Sequence, residues 1–356
     1  MNLMIVIDDL FRGGTEQTLK SRLAHIPEGW NILVVVLYSK GSIGEELEKE
    51  GIEVVCLNMG LEGYIKSVLG FRRAVSVFLP DIVVFMRDVA RGLLPVFVPG
   101  NSVKVLFWDN SVIYKSFRQF WGEFFQVKFA GGKLLCSSSV IADNLYKYYR
   151  KSDIKIISNC YDERLFRYDK SKVIQTGKKL KILTVGSMRY EKNHAEKINI
   201  AANLKKAEIN FSLDIAGRGD FSVIQKLIDS KNLNNEVKLA GEVSELHKVI
   251  NSYDLFLMTS YSEGCPVALL EAVASGLPCV VYPFKGMDSF MDLRKFIFTV
   301  ETGTPSEAAE VIIKIINMNP DTLIKQLNDG SEMVSFSYSS GKNSLQWFEY
   351  LASLTE

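Results

Sequence analysis

Two glutamates eight positions apart, Glu263 and Glu271, form the most informative chemical pattern in this sequence. Both lie in residues 260–278, which read SYSEGCPVALLEAVASGLP. Pro266 suits the first position of a helix that is apolar on every side except at Glu271. A carboxylate on a buried helix needs a partner or a ligand. The N–H groups of the first helical turn, close to Glu263, favour an anion such as a phosphate.

A simpler explanation of the same pair stays open at this point. Glu271 could pair with a lysine, and Glu263 could be an ordinary loop residue. A ligand-binding role depends on other groups that converge on the same helix end.

A second set of candidates lies in residues 181–194, KILTVGSMRYEKNH. We expect a strand that ends at Gly186 and a helix that opens near Glu191. Arg189 and Lys192 lie in between, and two cations beside a helix N-terminus can hold a phosphate. A lysine at a helix start is, however, often merely solvated.

A third candidate loop, FRGGTEQ at residues 11–17, follows the first strand. Gly13 and Gly14 would let the backbone approach a ligand closely, and Thr15 could cap the next helix. A plain turn explains the same residues. The sequence has no G-x-G-x-x-G spacing here that would indicate a dinucleotide cofactor.

Short β-branched runs alternate with helical patterns along the chain, and this alternation predicts the elements that position these loops. Several runs are apolar at successive positions, which is typical of parallel strands buried on both faces. The rhythm predicts an α/β fold with two doubly wound, Rossmann-like domains that face a cleft. The predicted strands are Leu3–Ile7, Ile32–Leu37, Ile52–Leu57, Ile82–Phe85, Val103–Phe107, Leu134–Cys136, Ile154–Ile157, Lys181–Val185, Phe211–Ala216, Val237–Ala240, Asp254–Thr259, Cys279–Tyr282 and Phe296–Val300.

The polar stretch Asp162–Lys179 separates the two halves. We therefore expect one Rossmann-like domain over 1–165 and a second over 166–337. A C-terminal segment, 338–356, is expected to form a helix over Tyr338–Leu354. Amphipathic patterns also predict helices over Glu191–Lys206 and Ser244–Asn251.

Composition excludes several classes of protein. The chain has 356 residues, a net charge of +1 and three histidines, so a nucleic-acid binder or a histidine-based metal site is disfavoured. Five cysteines without a C-x-x-C pair indicate neither a disulfide framework nor a zinc site, and a reduced cytoplasmic compartment fits best. No apolar run is long enough for a signal peptide or a membrane span.

The stretch Ser260–Pro278 resembles the E-x7-E signature of retaining, GT-B-fold glycosyltransferases of family four. It matches S-x-x-E-G-x-P-x-x-x-L-E-A-x-A-x-G-x-P at each specified position. The resemblance implies that Glu263 contacts the sugar hydroxyls of a nucleotide-sugar donor and that Glu271 contacts the ribose. The backbone amides of Gly264, Cys265 and Val267 would approach the sugar and the diphosphate.

The other loops resemble further segments of that family. Residues 181–194 are similar to G-R-x-x-x-E-K-N, whose arginine and lysine hold the diphosphate; Lys192 matches the lysine, Ser187 stands at the arginine position, and Arg189 could substitute. The Gly13–Gly14 loop resembles a G-G-x-E loop that faces the diphosphate. Weaker matches implicate Gly217 below the nucleoside, and Glu242 and Val243 beside the base. The resemblance also implies that the domain over 1–165 binds the acceptor and that the domain over 166–337 binds the donor. The C-terminal helix within 338–356 would pack back on the N-terminal domain.

The segment 113–129, IYKSFRQFWGEFFQVKF, carries seven aromatic residues and lies in a basic region of the first half. It is explained either by a core-facing helix or by an interfacial helix that docks on anionic lipid. Family members often have a histidine on the acceptor side, where this chain has Asp109; Asp109 is thus a candidate catalytic residue.

These features together predict a metal-independent, retaining transferase of hexosyl groups in surface polysaccharide or lipid-linked glycan assembly. Glu263, Lys192, Arg189 and Asp109 are the candidate catalytic residues. The donor is expected to be a UDP-sugar first and a GDP-sugar second, with no cofactor, no metal and no nucleic acid. The acceptor would be a glycan or a polyprenyl-linked sugar, and the enzyme would be cytoplasmic, with or without peripheral membrane contact.

Two alternatives keep the fold but change the function. A sugar-nucleotide epimerase would need acid and base side chains around the sugar, commonly including a histidine. A catalytically silent subunit would bind the nucleotide sugar without turnover, and Ser187 and Asp109 are the departures that favour it.

Overall fold

The computed structural model describes residues 1–108, 124, 127, 131–168 and 178–356, without the side chains at 61, 62, 92 and 93. The chain divides into two compact units. Unit 1 is Met1–Cys160 with Ser340–Glu356, and unit 2 is Tyr161–Ser339. Asp109 and the predicted helix 113–129 lie outside the described residues, apart from Phe124 and Val127.

Unit 1 contains a parallel sheet in the order β3-β2-β1-β4-β5-β6-β7. Its first strand explains why the sequence reads as a continuous apolar run. Met4 and Val6 pack into one core, and Ile5 and Ile7 pack into a second core on the opposite face. The strands are β1 Asn2–Asp9, β2 Asn31–Ser39, β3 Glu53–Cys56, β4 Ile82–Met86, β5 Val103–Trp108, β6 Lys133–Cys136 and β7 Ile154–Ile156.

Helices cover this sheet, as parallel strands require. They are α1 Gly14–Leu23, α2 Gly41–Lys49, α3 Met59–Glu62, α4 Tyr64–Phe78, α5 Asp88–Leu93 and α6 Ser139–Leu145. The predicted cap at Thr15 is wrong. The helix already begins at Gly14 with Gly13 as its N-cap, so Thr15 is a buried residue inside the first turn.

Unit 2 contains a second parallel sheet, in the order β10-β9-β8-β11-β12-β13. All four residues of β11 are buried, which fits a strand at the centre of the sheet. The thirteen strand segments predicted from the sequence therefore all occur, with ends that shift by a residue or two. The strands are β8 Leu180–Val185, β9 Phe211–Ala216, β10 Val237–Gly241, β11 Leu255–Met258, β12 Cys279–Val281 and β13 Phe298–Thr299.

The helices of unit 2 differ in detail from the prediction. The helix expected near Glu191 begins only at His194, because Tyr190–Lys192 forms a 3₁₀ turn and Asn193 adopts a left-handed backbone with φ of 46°. Pro266 precedes its helix as the N-cap and is not the first helical residue. The helices are α7 His194–Lys206, α8 Ser222–Ser230, α9 Leu246–Val249, α10 Val267–Ala274, α11 Met291–Arg294, α12 Pro305–Ile316 and α13 Pro320–Tyr338.

The chain returns to unit 1 with its last helix, α14 Ser340–Ala352. Tyr338 ends α13, so the C-terminal helix starts two residues later than expected. Trp347 and Phe348 of α14 are almost fully buried in the core that also holds Ile5 and Ile7. The sequence-based boundary lies after residue 165, and the structural division lies after Cys160.

In the part of the chain that the structure describes, no helix is long and apolar enough to cross a bilayer. Nor do three or more His, Cys, Asp or Glu side chains there group in a way that could hold a metal ion.

Candidate active site

The candidate site of unit 2 lies where the order of strands in its sheet reverses. From β8 the chain builds the sheet outward through β9 and β10, and it then returns to place β11 on the other side of β8. Loops that leave neighbouring strands at such a switch point open a crevice at the carboxyl edge of the sheet. The loop 186–193 after β8 and the loop 259–266 after β11 are these two neighbours.

Lys192 and Glu263, one from each loop, form an ion pair in this crevice. The Lys192 Nζ atom lies 2.7 Å from Oε1 and 2.9 Å from Oε2 of Glu263. The side chains are 27% and 11% exposed, so both are shielded but reachable from solvent. The ammonium donates to both carboxylate oxygens, which fixes the orientation of the pair.

The position of Lys192 depends on a glycine below it and on the turn that carries it. A Cβ atom at Gly186 would lie 3.3 Å from the Lys192 stem, so the missing side chain leaves room for the lysine. The left-handed backbone of Asn193 turns the chain from the 3₁₀ turn into α7. The Thr259 hydroxyl, just after β11, donates to the carbonyl of Asn193 at 2.9 Å and ties the two loops together.

Glu263 is held by backbone contacts of its own loop. Its N–H donates to the carbonyl of Lys285 at 3.1 Å, and the N–H of Lys285 donates to Tyr261 at 2.8 Å. Gly286 has φ of 114°, and a Cβ there would lie 2.2 Å from the Glu263 carbonyl oxygen. Only glycine fits this position, which keeps the segment after β12 against the glutamate loop.

Helix α10 begins at Val267, four residues after Glu263, and carries the second glutamate. Gly264 and Cys265 lie in the loop before the Pro266 cap, and Val267 is the first helical residue. The N–H groups at such a start have no partner inside the helix and favour a negative charge. Glu271 is 6% exposed on this helix, about 6 Å along the axis from its first residue.

The remaining predicted donor residues of unit 2 lie on loops at the same edge of the sheet. Gly217 follows β9 with φ of 155°, and a Cβ there would lie 1.9 Å from the Gly186 carbonyl oxygen, so the two loops touch through backbone. Arg189 is exposed and precedes the 3₁₀ turn. Glu242 and Val243 follow β10.

The sequence did not single out two basic residues that contact the backbone of the loop 186–193, His194 and Lys197. The Lys197 ammonium on α7 donates to the carbonyl of Lys192 at 3.0 Å and to Nδ1 of His194 at 3.1 Å. The other ring nitrogen of His194 lies 3.0 Å from the Ser187 carbonyl oxygen and donates to it. The spacing N-H-x-x-K at the start of an amphipathic helix was the available signal.

Burial makes these two groups chemically unusual. Loss of hydration lowers the pKa of His194 to about 4, and the neighbouring Lys197 and Lys192 charges add to the shift. Loss of hydration also lowers the pKa of Lys197 to about 7, helped by Lys192 and opposed by Glu263. His194 is therefore a neutral ring that supports the loop.

The predicted glycine loop of unit 1 lies beside a second ion pair, in which the carboxylate is buried and the guanidinium is half-buried. Gly13 precedes α1 and Gly14 starts it, and a Cβ at Gly13 would lie 2.4 Å from a carboxylate oxygen of Glu16. Glu16 is 2% exposed and lies 2.5 Å from the Arg87 guanidinium. Arg87 follows β4 with φ of 72°, a backbone strain that is common at functional sites.

Comparison with known protein families gave a match over most of unit 2. Residues 167–329 match the family model for glycosyl transferases group 1. This range contains both Lys192 and Glu263.

Curated relatives match shorter stretches of the chain. The EpsF protein of Bacillus subtilis (strain 168), a glycosyltransferase by name, is 41% identical over 91 residues, 25% of this chain and 24% of that protein. The poly(ribitol-phosphate) alpha-N-acetylglucosaminyltransferase of Staphylococcus aureus (strain COL) is 28% identical over 122 residues, 34% of this chain and 25% of that protein. The chain thus matches about a quarter of the length of these relatives.

Solved structures resemble the whole chain in fold. Anabaena HepE in complex with UDP and glucose has a TM-score of 0.81 at 16% identity, over 98% of this chain and 99% of that one. A glycosyltransferase from Rickettsia africae has a TM-score of 0.78 at 16% identity, over 99% and 98% of the two chains. The chain has the GT-B fold of two Rossmann-like sheets, and its residues 167–329 match the family model for group 1 glycosyl transferases.

Proposed function

We propose that this protein is a retaining glycosyltransferase that moves a hexosyl group from a nucleoside-diphosphate sugar to an acceptor hydroxyl. The single observation that carries the proposal is the Lys192–Glu263 ion pair beside the start of α10. It joins a cation for the diphosphate and a carboxylate for sugar hydroxyls in one crevice. The group 1 match over the same residues supports this role.

The chemistry requires stabilisation of charge on the leaving group. As the bond from the sugar to the diphosphate breaks, negative charge grows on the phosphate and positive charge on the sugar. The Lys192 ammonium and the α10 N-terminus would stabilise the phosphate, an electrostatic effect that usually dominates catalysis. Arg189 is exposed, so no core packing restricts its side chain, and it would add a second cation for the phosphate.

Glu263 would orient the sugar by accepting hydrogen bonds from the sugar hydroxyls. In the ion pair both oxygens of Glu263 accept from Lys192, so the carboxylate has a fixed position beside the ammonium. When the donor binds, we expect one oxygen to turn to the sugar and Lys192 to shift towards the phosphate. Retention would follow from a front-face displacement, in which the leaving phosphate helps to remove the acceptor proton.

Glu271 would contact the ribose, with Glu242 and Val243 beside the base and Ser187, Gly217, Gly264, Cys265 and Val267 lining the donor. We propose a UDP-sugar as the first donor to test and a GDP-sugar as the second. The solved HepE structures contain UDP, UDP-glucose, or UDP and glucose, which supports this order. We propose no cofactor and no metal, since the sequence lacks an Asp-x-Asp triplet and supplies cations of its own.

The acceptor is proposed to be a growing glycan or a polyprenyl-linked sugar, and the reaction a step in surface polysaccharide assembly. A relative named as an amylovoran biosynthesis glycosyltransferase supports this class.

We propose a cytoplasmic enzyme that contacts anionic membrane through 113–129, with Asp109 on the acceptor side. Co-sedimentation with vesicles should then require anionic lipid; sedimentation without lipid dependence would contradict the contact.

A panel of nucleotide sugars tests the function. We expect one UDP- or GDP-sugar to be consumed with release of the nucleoside diphosphate, at a rate that a chelator leaves unchanged. The anomeric configuration of the product, measured by NMR, should equal that of the donor. Binding of nucleoside diphosphates without turnover of any sugar nucleotide would favour the silent binding subunit instead.

A further inference from the structure

The buried lysine of α7 has an unusual position. The Lys197 side chain is 2% exposed, and among the described residues no carboxylate lies within ion-pair distance of it. Its ammonium donates only to neutral acceptors, the Lys192 carbonyl and His194 Nδ1. A buried ammonium without a counter-ion is costly, so the fold maintains it against a substantial desolvation penalty.

The location of Lys197 connects it to the candidate site. Its acceptor at 3.0 Å is the main chain of Lys192 itself, the residue that pairs with Glu263. A change in the protonation of Lys197 therefore acts on the loop 186–193 in two ways. It alters the hydrogen bond to the Lys192 carbonyl, and it alters the electrostatic potential at that loop.

Charged and titratable groups surround Lys197. Lys192 repels it, Glu263 attracts it more weakly, and His194 is neutral above about pH 4. From the segment after β12, the Tyr282 hydroxyl faces α7 but hydrogen-bonds Glu196 at 3.5 Å. None of these groups supplies a full negative charge at the ammonium. Burial and Lys192 together therefore hold the pKa of Lys197 at about 7.

We propose that Lys197 is a proton-binding positioning residue that supports the loop 186–193. It takes up a proton when a nucleoside diphosphate binds at this loop. The inference rests on the proposed function, because it needs an anion at that loop. Binding brings two or more negative charges near an ammonium that is half-titrated at neutral pH, and this favours its charged form. The proton comes from solvent and returns to it when the diphosphate leaves.

Lys197 also positions the loop when it is charged. Only the protonated form can donate strongly to both the Lys192 carbonyl and His194 Nδ1. Proton uptake would thus strengthen the hydrogen bond that holds the Lys192 backbone when the Lys192 side chain moves from Glu263 to the phosphate. Donor affinity should therefore fall as the pH rises above about 7.

Calorimetry with UDP as the probe tests the inference, with GDP as the second probe. Titrations at about pH 8 in buffers of different ionisation enthalpy give the number of protons taken up per UDP bound. We expect wild-type protein to take up more than half a proton, and its dissociation constant to rise several-fold from about pH 7 to about pH 9. Lys206→Met, the same change at an exposed position of α7, should behave like wild type.

Two variants separate the charge from the titration. Lys197→Met should lose the proton uptake and the pH dependence, and should bind UDP more weakly at about pH 7. Lys197→Arg keeps a charge at every pH, so it should lose the uptake and bind with an affinity independent of pH. The wild-type buffer dependence keeps the test valid even if a variant fails to fold.

The outcomes distinguish the two proposals. UDP or GDP binding by wild type without proton uptake, or equal uptake in Lys197→Met, overturns the role of Lys197 and leaves the proposed function standing. Failure of wild type to bind either nucleotide overturns the proposed function and the inference with it.

Discussion

At the scale of single residues, the site is defined by one ion pair and by the groups that hold its members. Lys192 and Glu263 belong to loops 71 positions apart in the chain, and their contact is a product of the sheet order. His194 has both ring nitrogens engaged, with Lys197 and with the Ser187 carbonyl. A ring so engaged is a poor acid or base, which disfavours the epimerase alternative at this site.

Removal of the Lys192 side chain should weaken binding of nucleoside diphosphates. We expect Lys192→Ala to raise the dissociation constant of UDP or GDP about tenfold to a hundredfold, the effect of losing one charged hydrogen bond. Isothermal calorimetry measures it. Lys325→Ala, at an exposed lysine of α13, serves as the control and should leave binding unchanged. An unaltered constant in Lys192→Ala would refute the phosphate role.

The stability of ligand-free protein should also report the buried lysine. The folded-state pKa of Lys197 is lowered from 10.5 to about 7, so between those values the unfolded chain binds more protons than the folded one. Stability therefore rises with pH in this window relative to Lys197→Met, which lacks the group. Denaturant unfolding at several pH values measures the difference between the two proteins. A constant difference from about pH 7 to about pH 10 would mean that the lysine titrates normally.

At the scale of elements, the carboxyl ends of neighbouring strands explain the position of the site. The loops after β8, β9 and β11 leave the same edge of one sheet, and the glycines between them allow backbone contact. Unit 1 repeats the arrangement, with the buried Glu16 after β1 and the half-buried Arg87 after β4 in an ion pair. Both sheets thus carry an ion pair at the point where the strand order reverses.

The contact between the loops after β8 and β9 should be intolerant of a side chain. A Cβ at Gly217 would lie 1.9 Å from the Gly186 carbonyl oxygen. We expect Gly217→Ala to lower the free energy of unfolding of unit 2 by about 2–4 kcal/mol and to reduce donor binding. Chemical denaturation and calorimetry measure the two effects.

Gly241→Ala is the matched control, since Gly241 also has positive φ, 70°, but open space around its Cβ position. It should cost about 1 kcal/mol for backbone strain alone. Equal losses in both variants would mean that the loop contact adds nothing.

Much of this element-scale picture could be predicted from the sequence. Apolar runs such as those of β4 and β11 identify buried parallel strands, because both faces need apolar residues. The helix start at His194 could not be predicted, since it depends on the left-handed turn at Asn193. The Lys192–Glu263 contact and the burial of Lys197 could not be predicted either, because polar residues give no sign of which tertiary neighbours they will meet.

At the scale of the whole molecule, the chain crosses between its two units twice. Unit 2 interrupts unit 1, whose last helix, α14, follows residue 339. Trp347 of α14 is 1% exposed, and the Arg22 guanidinium lies 5.4 Å from its ring. The same guanidinium donates to Asn343 of α14 and to the Ser158 carbonyl at 2.9 Å each. The C-terminal helix is thus an integral part of the unit 1 core.

Truncation of this anchor should destabilise unit 1. We expect Trp347→Ala to lower its free energy of unfolding by about 3–5 kcal/mol, through lost burial and a cavity. Hydrogen exchange resolved by segment measures the effect, with faster exchange in β1 and α1 and little change in β8. Leu345→Ala, an exposed position of the same helix, is the control. Equal exchange in wild type and Trp347→Ala would contradict the packing of α14 on this sheet.

The central claim is that the crevice of unit 2 transfers a sugar from a nucleotide donor. It is tested most directly by the rate of nucleoside diphosphate release from the preferred sugar nucleotide in Glu263→Gln, which preserves shape and removes the charge. We expect the rate to fall at least about a hundredfold while UDP or GDP still binds. Glu310→Gln, at an exposed glutamate of α12, should keep the wild-type rate. A wild-type rate in Glu263→Gln would contradict the account.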